Sequence, residues 1–149
     1  MRQFVLTVLI LLSCICMKAQ TVNRNGSFDF SYKVEGQAPL TGKGTAVIKE
    51  SCFHVQTNGL DVWCDGKTRW TVDTEAKEVY IEDAQDVDDY IQTLEFRKEG
   101  GRIVGADVLL SDGSKLHLNI SNFKQATVDA SFTPNLSTLT KDYVITDLR

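Results

Sequence analysis

Apolar and polar residues alternate strictly along three stretches of this chain. Phe28, Phe30, Tyr32 and Val34 are interleaved with Ser27, Asp29, Ser31 and Lys33. Leu116, Leu118 and Ile120 alternate with Lys115, His117 and Asn119, and Val128, Ala130 and Phe132 with Thr127, Asp129 and Ser131. A period of two sends successive side chains to opposite sides of a strand, so each stretch reads as a strand with one greasy and one wet face. Weaker versions of the pattern predict strands over 44–49, 52–57, 60–64, 67–72, 78–82, 93–98, 103–110 and 143–146. Asn58-Gly59, Asp65-Gly66, Gly100-Gly101 and Asp112-Gly113 fall between these strands, where a tight turn needs positive φ. Such short spacings leave no room for parallel crossovers, so an antiparallel meander is expected. Only residues 83–93 break the pattern. Val87, Tyr90, Ile91 and Leu94 recur there at helical spacing, with Asp83 as cap and Asp86 in the first turn. This short helix is expected to close over the sheet. Pro39 and Pro134 fall outside the clearest strands, as loop residues should.

The first residues have a different character. Met1-Arg2 is followed by an apolar run from Phe4 to Leu12, interrupted only by Thr7, and then by small residues up to Ala19. A charged start, a greasy middle too short to span a bilayer and a small-residue exit describe an export signal. The expected division is therefore a signal over 1–19 and one domain over 20–149, placed in the periplasm. Leu11-Leu12-Ser13-Cys14 offers a second exit, in which Cys14 carries lipid and anchors the protein in the outer membrane. Losing Arg2 and Lys18 leaves 14 basic against 20 acidic side chains, so the net charge moves from −4 to −6. An acidic domain of this kind does not suit a phosphate backbone, and no nucleic acid is expected among its partners.

Beyond the signal only Cys52 and Cys64 remain, equidistant from Asn58. A short hairpin loop centred there would set them opposite each other within disulfide reach, and two free thiols are the other reading. With His54 they match no four-ligand zinc pattern, so no metal is expected. His117 shares a polar strand face with Lys115 and Asn119 and reads as solvated. Asp86, Asp88 and Asp89 lack the glycine and terminal glutamate of an EF-hand loop and read as a wet helix face. No nucleophile elbow, HExxH, phosphate loop or dinucleotide fingerprint is present. Neither catalysis nor a cofactor is expected.

The segment from Ile48 to Glu82 has a more specific character. Phe53-His54-Val55 precedes the hairpin Asp65-Gly66-Lys67-Thr68-Arg69-Trp70, and Val79-Tyr80-Ile81 follows. This order resembles the LolA-type lipoprotein carriers, in which an aromatic-Arg-apolar strand leads into a D-G-K-x-x-W hairpin and a V-x-I strand. The ending Val144-Ile145-Thr146-Asp147-Leu148-Arg149 resembles the D-L-R terminus of the Bacteroidetes-type LolA-like proteins, and the Ala19-Gln20 exit suits them. The resemblance implies a mainly β (α+β) fold, an antiparallel half-open β-barrel of about ten strands with one short lid helix. It also implies a carrier that binds acyl chains of lipoproteins or other lipids on an apolar inner face. The partners it implies are an inner-membrane lipoprotein exporter and an outer-membrane receptor.

On that reading the acyl-binding face draws on Phe28, Phe30, Tyr32, Phe53 and Val55 from the first strands. Trp70, Val72, Val79 and Ile81 continue it, and Leu116, Leu118 and Phe132 complete it. If Cys52 and Cys64 pair, both point outward and Trp63 joins Phe53 inside. The chain departs from the family in having strand-like residues from Gly26 where the carriers begin with a long amphipathic helix. The segment after Ile81 is also short. His54 stands where the family has its strand arginine, and so becomes a candidate lid latch. Two alternatives accompany the carrier: a LolB-type receptor lipidated at Cys14, and a structural envelope component that joins partners through exposed sheet edges.

Overall fold

The structure, a computed structural model, describes residues 25–37, 39–84, 91–125, 131–139 and 141–149. The expected signal, the lipid-acceptor Cys14 and the acidic cluster Asp86, Asp88 and Asp89 lie outside these residues.

Among the described residues, ten strands form one sheet: β1 (Asn25–Glu35), β2 (Leu40–Lys49), β3 (Cys52–Thr57), β4 (Leu60–Cys64), β5 (Thr68–Asp73), β6 (Glu78–Asp83), β7 (Ile91–Glu99), β8 (Arg102–Leu110), β9 (Lys115–Lys124) and β10 (Val144–Asp147). Their order is β10-β6-β5-β4-β3-β2-β1-β9-β8-β7, with β10 and β7 at the edges. The fold is a half-open β-barrel. Nine strands pair antiparallel, as the turn spacing predicts, but β10 runs parallel to β6. A parallel neighbour needs a long return path. The chain between β9 and β10 supplies it, and carries α1 (Leu136–Leu139).

That helix is not the expected one. Of the predicted helical patch, Asp83 ends β6 and residues 91–93 open β7; residues 85–90 lie outside the described part. Pairing with β8 over Ile91↔Leu110, Thr93↔Leu109 and Leu94↔Val108 takes Ile91 and Leu94 into a strand against their helical spacing. The predicted strand over 127–132 also falls mostly outside the described residues, and its end at Ser131 and Phe132 is not strand.

Glycines in β2 let the central strands carry large rings on one face. Gly42 and Gly44 of β2 lie opposite Tyr32 and Phe30 of β1. A β-carbon on Gly44 would run into the Gln56 carbonyl oxygen and stand 2.7 Å from the Phe30 ring. The rings occupy the space that side chains on β2 would otherwise fill. Gly44→Ala is therefore expected to destabilise by roughly 1–3 kcal/mol, the usual range for overpacking. A lowered urea midpoint at unchanged slope would show it.

The solvent side of β7, β8 and β9 is fixed by charge. Arg97 donates to both carboxylate oxygens of Asp107 at 2.9 Å and to the Leu118 carbonyl at 2.6 Å. His117 Nδ1 lies 2.6 Å from Asp107 Oδ1, so His117 is a network member on a polar face. The His117 hydrogen bond holds the Asp107 carboxyl below the usual range against slight burial, and Arg97 adds to this. A carboxyl depressed by folding contributes stability above its unfolded pKa and loses it as pH falls through the folded value. Asp107→Asn is thus expected to cost up to about 1 kcal/mol at pH 7, limited by solvent screening. Urea titrations at pH 7 and below pH 3 should show the difference between the two proteins shrinking at the lower pH.

Candidate functional site

Cross-strand register assigns each side chain to a face. Phe30 opposes Gly44, Ala46 opposes Val55, Val55 opposes Val62, and Phe53 opposes Cys64, all without a bulge. On the other side Tyr32 opposes Leu118, and Leu118 opposes Ala106. Gly44 apart, these residues form one continuous apolar cluster from β8 to β4, with Phe28, Val34, Ile48, Val108, Leu110 and Leu116. Each residue of this cluster is at most 5% exposed. We call this the inner face. Phe28, Phe30 and Tyr32 make successive ring contacts along it, at centroid separations of 6.5 and 6.3 Å. The Tyr32 hydroxyl reaches the Asn58-Gly59 turn, where it accepts from Asn58 Nδ2 at 3.0 Å. Burial pushes the Tyr32 phenol up, against hydrogen bonds from Thr57 and Asn58.

Seven of the predicted acyl-binding residues meet on this face: Phe28, Phe30, Tyr32, Phe53, Val55, Leu116 and Leu118. Trp70, Val79 and Ile81 do not. Trp63 opposes Trp70 and Trp70 opposes Ile81, while Val72 opposes Val79, and all of them point to the other side of the sheet. There Val72, Val79 and Ile81 form a second cluster with Trp63, Trp70, Leu136, Leu139 and Tyr143. Helix α1 thus packs on the outer face. Phe132 is buried but belongs to neither cluster.

The inner face turns polar where the outer one turns apolar. Val62 opposes Thr71, Cys64 opposes Arg69, and Arg69 opposes Glu82. Arg69 is buried, its side chain 7% exposed, and Nη2 donates to Glu82 Oε2 at 2.8 Å. Its Nε is buried and finds no acceptor among the described residues. Tyr80 and Glu78 share this face, with the Tyr80 hydroxyl donating to Glu78 at 2.6 Å. Arg69 escaped the reading of the sequence because it sat inside the D-G-K-x-x-W hairpin as an unassigned position. Its alternation with Trp70 was the available signal.

His54 lies on the outer face. It stacks on Trp63 with ring centroids 3.5 Å apart, and its Nε2 is 3.2 Å from Asp61 Oδ1. Burial pushes the Asp61 carboxyl up, but hydrogen bonds from His54 and Gln56 more than offset this and hold it below the usual range. A latch over the inner face would have to project the other way, so His54 does not occupy that place.

The cysteines also differ from the paired reading. Thr57 opposes Leu60, so the hairpin is centred between Asn58 and Gly59, both at positive φ, and Cys64 faces Phe53. Cys52 falls one residue out of register and on the opposite face, and both thiols are free. By the same shift Trp63 goes outside and Cys64 inside. Burial pushes the Cys64 thiol up. Iodoacetamide is expected to label partly exposed Cys52 in the folded protein, and Cys64 only after unfolding. Mass spectrometry of the two peptides reads this directly, and a linked 52–64 pair would contradict the register.

No family model and no curated protein matches this chain. Among solved structures it is similar to an uncharacterized conserved protein from Thermus thermophilus, at 11% identity and a TM-score of 0.50. That likeness covers 92% of this chain and 98% of the other, and it concerns the fold alone.

Proposed function

We propose that this protein is a non-catalytic periplasmic carrier that holds acyl chains of lipoproteins, or of other lipids, on the inner face of its half-open barrel. The observation that carries the reading is the continuous apolar face from Phe28 to Cys64, built on a sheet whose edges stay open. The Asp65 turn belongs with it. Asp65 Oδ1 accepts from the amides of Lys67 and Thr68 at 2.9 and 2.8 Å, which gives D-G-K a structural reason. The resemblance to LolA-type carriers supplies the cargo and the exporter and receptor as partners, and residues 1–19 read as the export signal that the periplasm requires. Burying an acyl methylene contributes roughly 0.8 kcal/mol. A chain with about fourteen buried methylenes would then contribute around 11 kcal/mol before binding costs, enough for retention without chemistry. The inner-face side chains are closed to solvent, so loading has to part them.

A second reading has its own support. The edge strand β10 leaves Val144 66% exposed, and Leu148 just beyond it is 59% exposed. An apolar edge of this kind is one through which an envelope component would join a partner strand.

The test is lipid extraction from protein purified gently from its native envelope, with mass analysis of its first residue. A carrier retains acyl-bearing lipid near one molecule per chain and starts at Gln20. A start at lipidated Cys14 instead indicates the anchored receptor. Lipid-free protein that assembles with other envelope proteins, and loses this assembly on Val144→Lys, indicates the edge-joining component.

A further inference from the structure

Among the described residues, Arg69 is the inner-face group whose chemistry the apolar cluster does not explain. A guanidinium is rarely buried, and leaving one of its N–H groups without an acceptor is costly. Its position is specific. Arg69 lies directly across from Cys64, which borders Phe53, where the apolar part of the inner face meets the polar part on β5 and β6. A hydrocarbon chain lying on Phe53, Val55 and Val62 would bring its polar end to Arg69.

We propose that the Arg69 Nε–H is the anchor for the ester carbonyl of a bound acyl chain. This rests on the carrier reading and names the chemical group that the site selects. Charge decides between an ester and a free fatty acid. Glu82 already opposes the Arg69 guanidinium at 2.8 Å, and Glu78 stands on the same face. A carboxylate would bring a further anion to a guanidinium that Glu82 already pairs. An ester carbonyl brings an acceptor and no charge. It satisfies the orphaned donor while Glu82 keeps its own bond. A hydrogen bond from a charged donor to a neutral acceptor in a desolvated site gives about tenfold in affinity.

The test compares five probes on the purified full chain by calorimetry: an S-dimyristoylglyceryl cysteine peptide and its dialkyl ether counterpart, a dimyristoyl phosphatidylethanolamine and its dialkyl ether counterpart, and free myristate. The diester peptide is expected to bind about tenfold tighter than the diether, with myristate below both. Arg69→Met with Glu82→Gln, which leaves no unpaired buried charge, is expected to bring diester and diether to the same affinity. Diester preference in the peptide alone assigns lipoprotein as the source. The same preference in the phospholipid means that Arg69 reads the ester whatever the head group. Equal binding of diester and diether by the unaltered protein overturns the anchor and leaves the carrier reading standing. Failure to bind any of the five overturns the carrier reading and the anchor together. The ratio measured on the unaltered protein decides the matter even if the variant fails to fold.

Discussion

Strand register at the Asn58-Gly59 hairpin is the constraint on which the remaining arrangement depends. A two-residue loop closes on Thr57 and Leu60, and from there the pairing runs without a bulge through β5 to β6. A shift of one residue would send every side chain on β4 to the opposite face. Cys64 would leave Phe53, Trp63 would enter the inner cluster, and Arg69 would lose its place beside the apolar cluster. The positive φ angles at Asn58 and Gly59, 44° and 77°, are those that a loop this tight demands. Local backbone chemistry at two residues thus sets the chemistry of a face several strands wide.

From the same register follows the change of sides across the sheet. Up to β4 the buried apolar residues point inward, and on β5 and β6 Val72, Val79 and Ile81 point outward. An apolar outer patch cannot stay wet, and Leu136, Leu139 and Tyr143 cover it. That cover brings the chain back beside β6, where Val144 N donates to the Lys77 carbonyl and Leu148 N to that of Ile81, both at 2.9 Å. The parallel tenth strand is therefore a consequence of covering the outer patch. Lys77 adds a contact over the Tyr143 ring at 4.9 Å. At the end of the strand Asp147 takes a two-point bond from Arg149, which lowers its carboxyl to about 2.

Strand positions were legible because period-two alternation is a local signal, and β1, β3, β4, β6, β8 and β9 lie where it places them. Faces across the sheet were less legible, since alternation says which residues share a side within a strand but not which side two strands share. Phe53 and Val55 were joined correctly to Phe28 and Phe30, whereas Val79 and Ile81, equally apolar and equally alternating, belong to the far side. Cys52 and Cys64 illustrate the sensitivity: symmetry about Asn58 instead of between Asn58 and Gly59 moves Cys52 through the sheet. At the end of the 83–93 patch, whose residues 85–90 lie outside the described part, helical spacing gave way to strand pairing for a related reason. Ile91 and Leu94 fit a helix by spacing, and the β8 edge uses them as strand.

The polar end of the inner face bears on how a carrier could both hold and release. An entirely hydrocarbon face would bind a chain in proportion to its buried length, with no preference for where the chain stops. Arg69 and Glu82 interrupt that gradient at one place. Transferring further methylenes past Cys64 would set them against a guanidinium and a carboxylate, which lose hydrogen-bonding opportunity when covered by hydrocarbon. In the proposed carrier the paired charges would therefore limit how deep a chain can lie, and so limit the total binding free energy. Such a stop would work only if the pair stays intact, and Glu82, across the β5–β6 pairing, holds the guanidinium toward β6. On the carrier proposal, the same residues that define where a chain ends would also keep it from being held too tightly to give up.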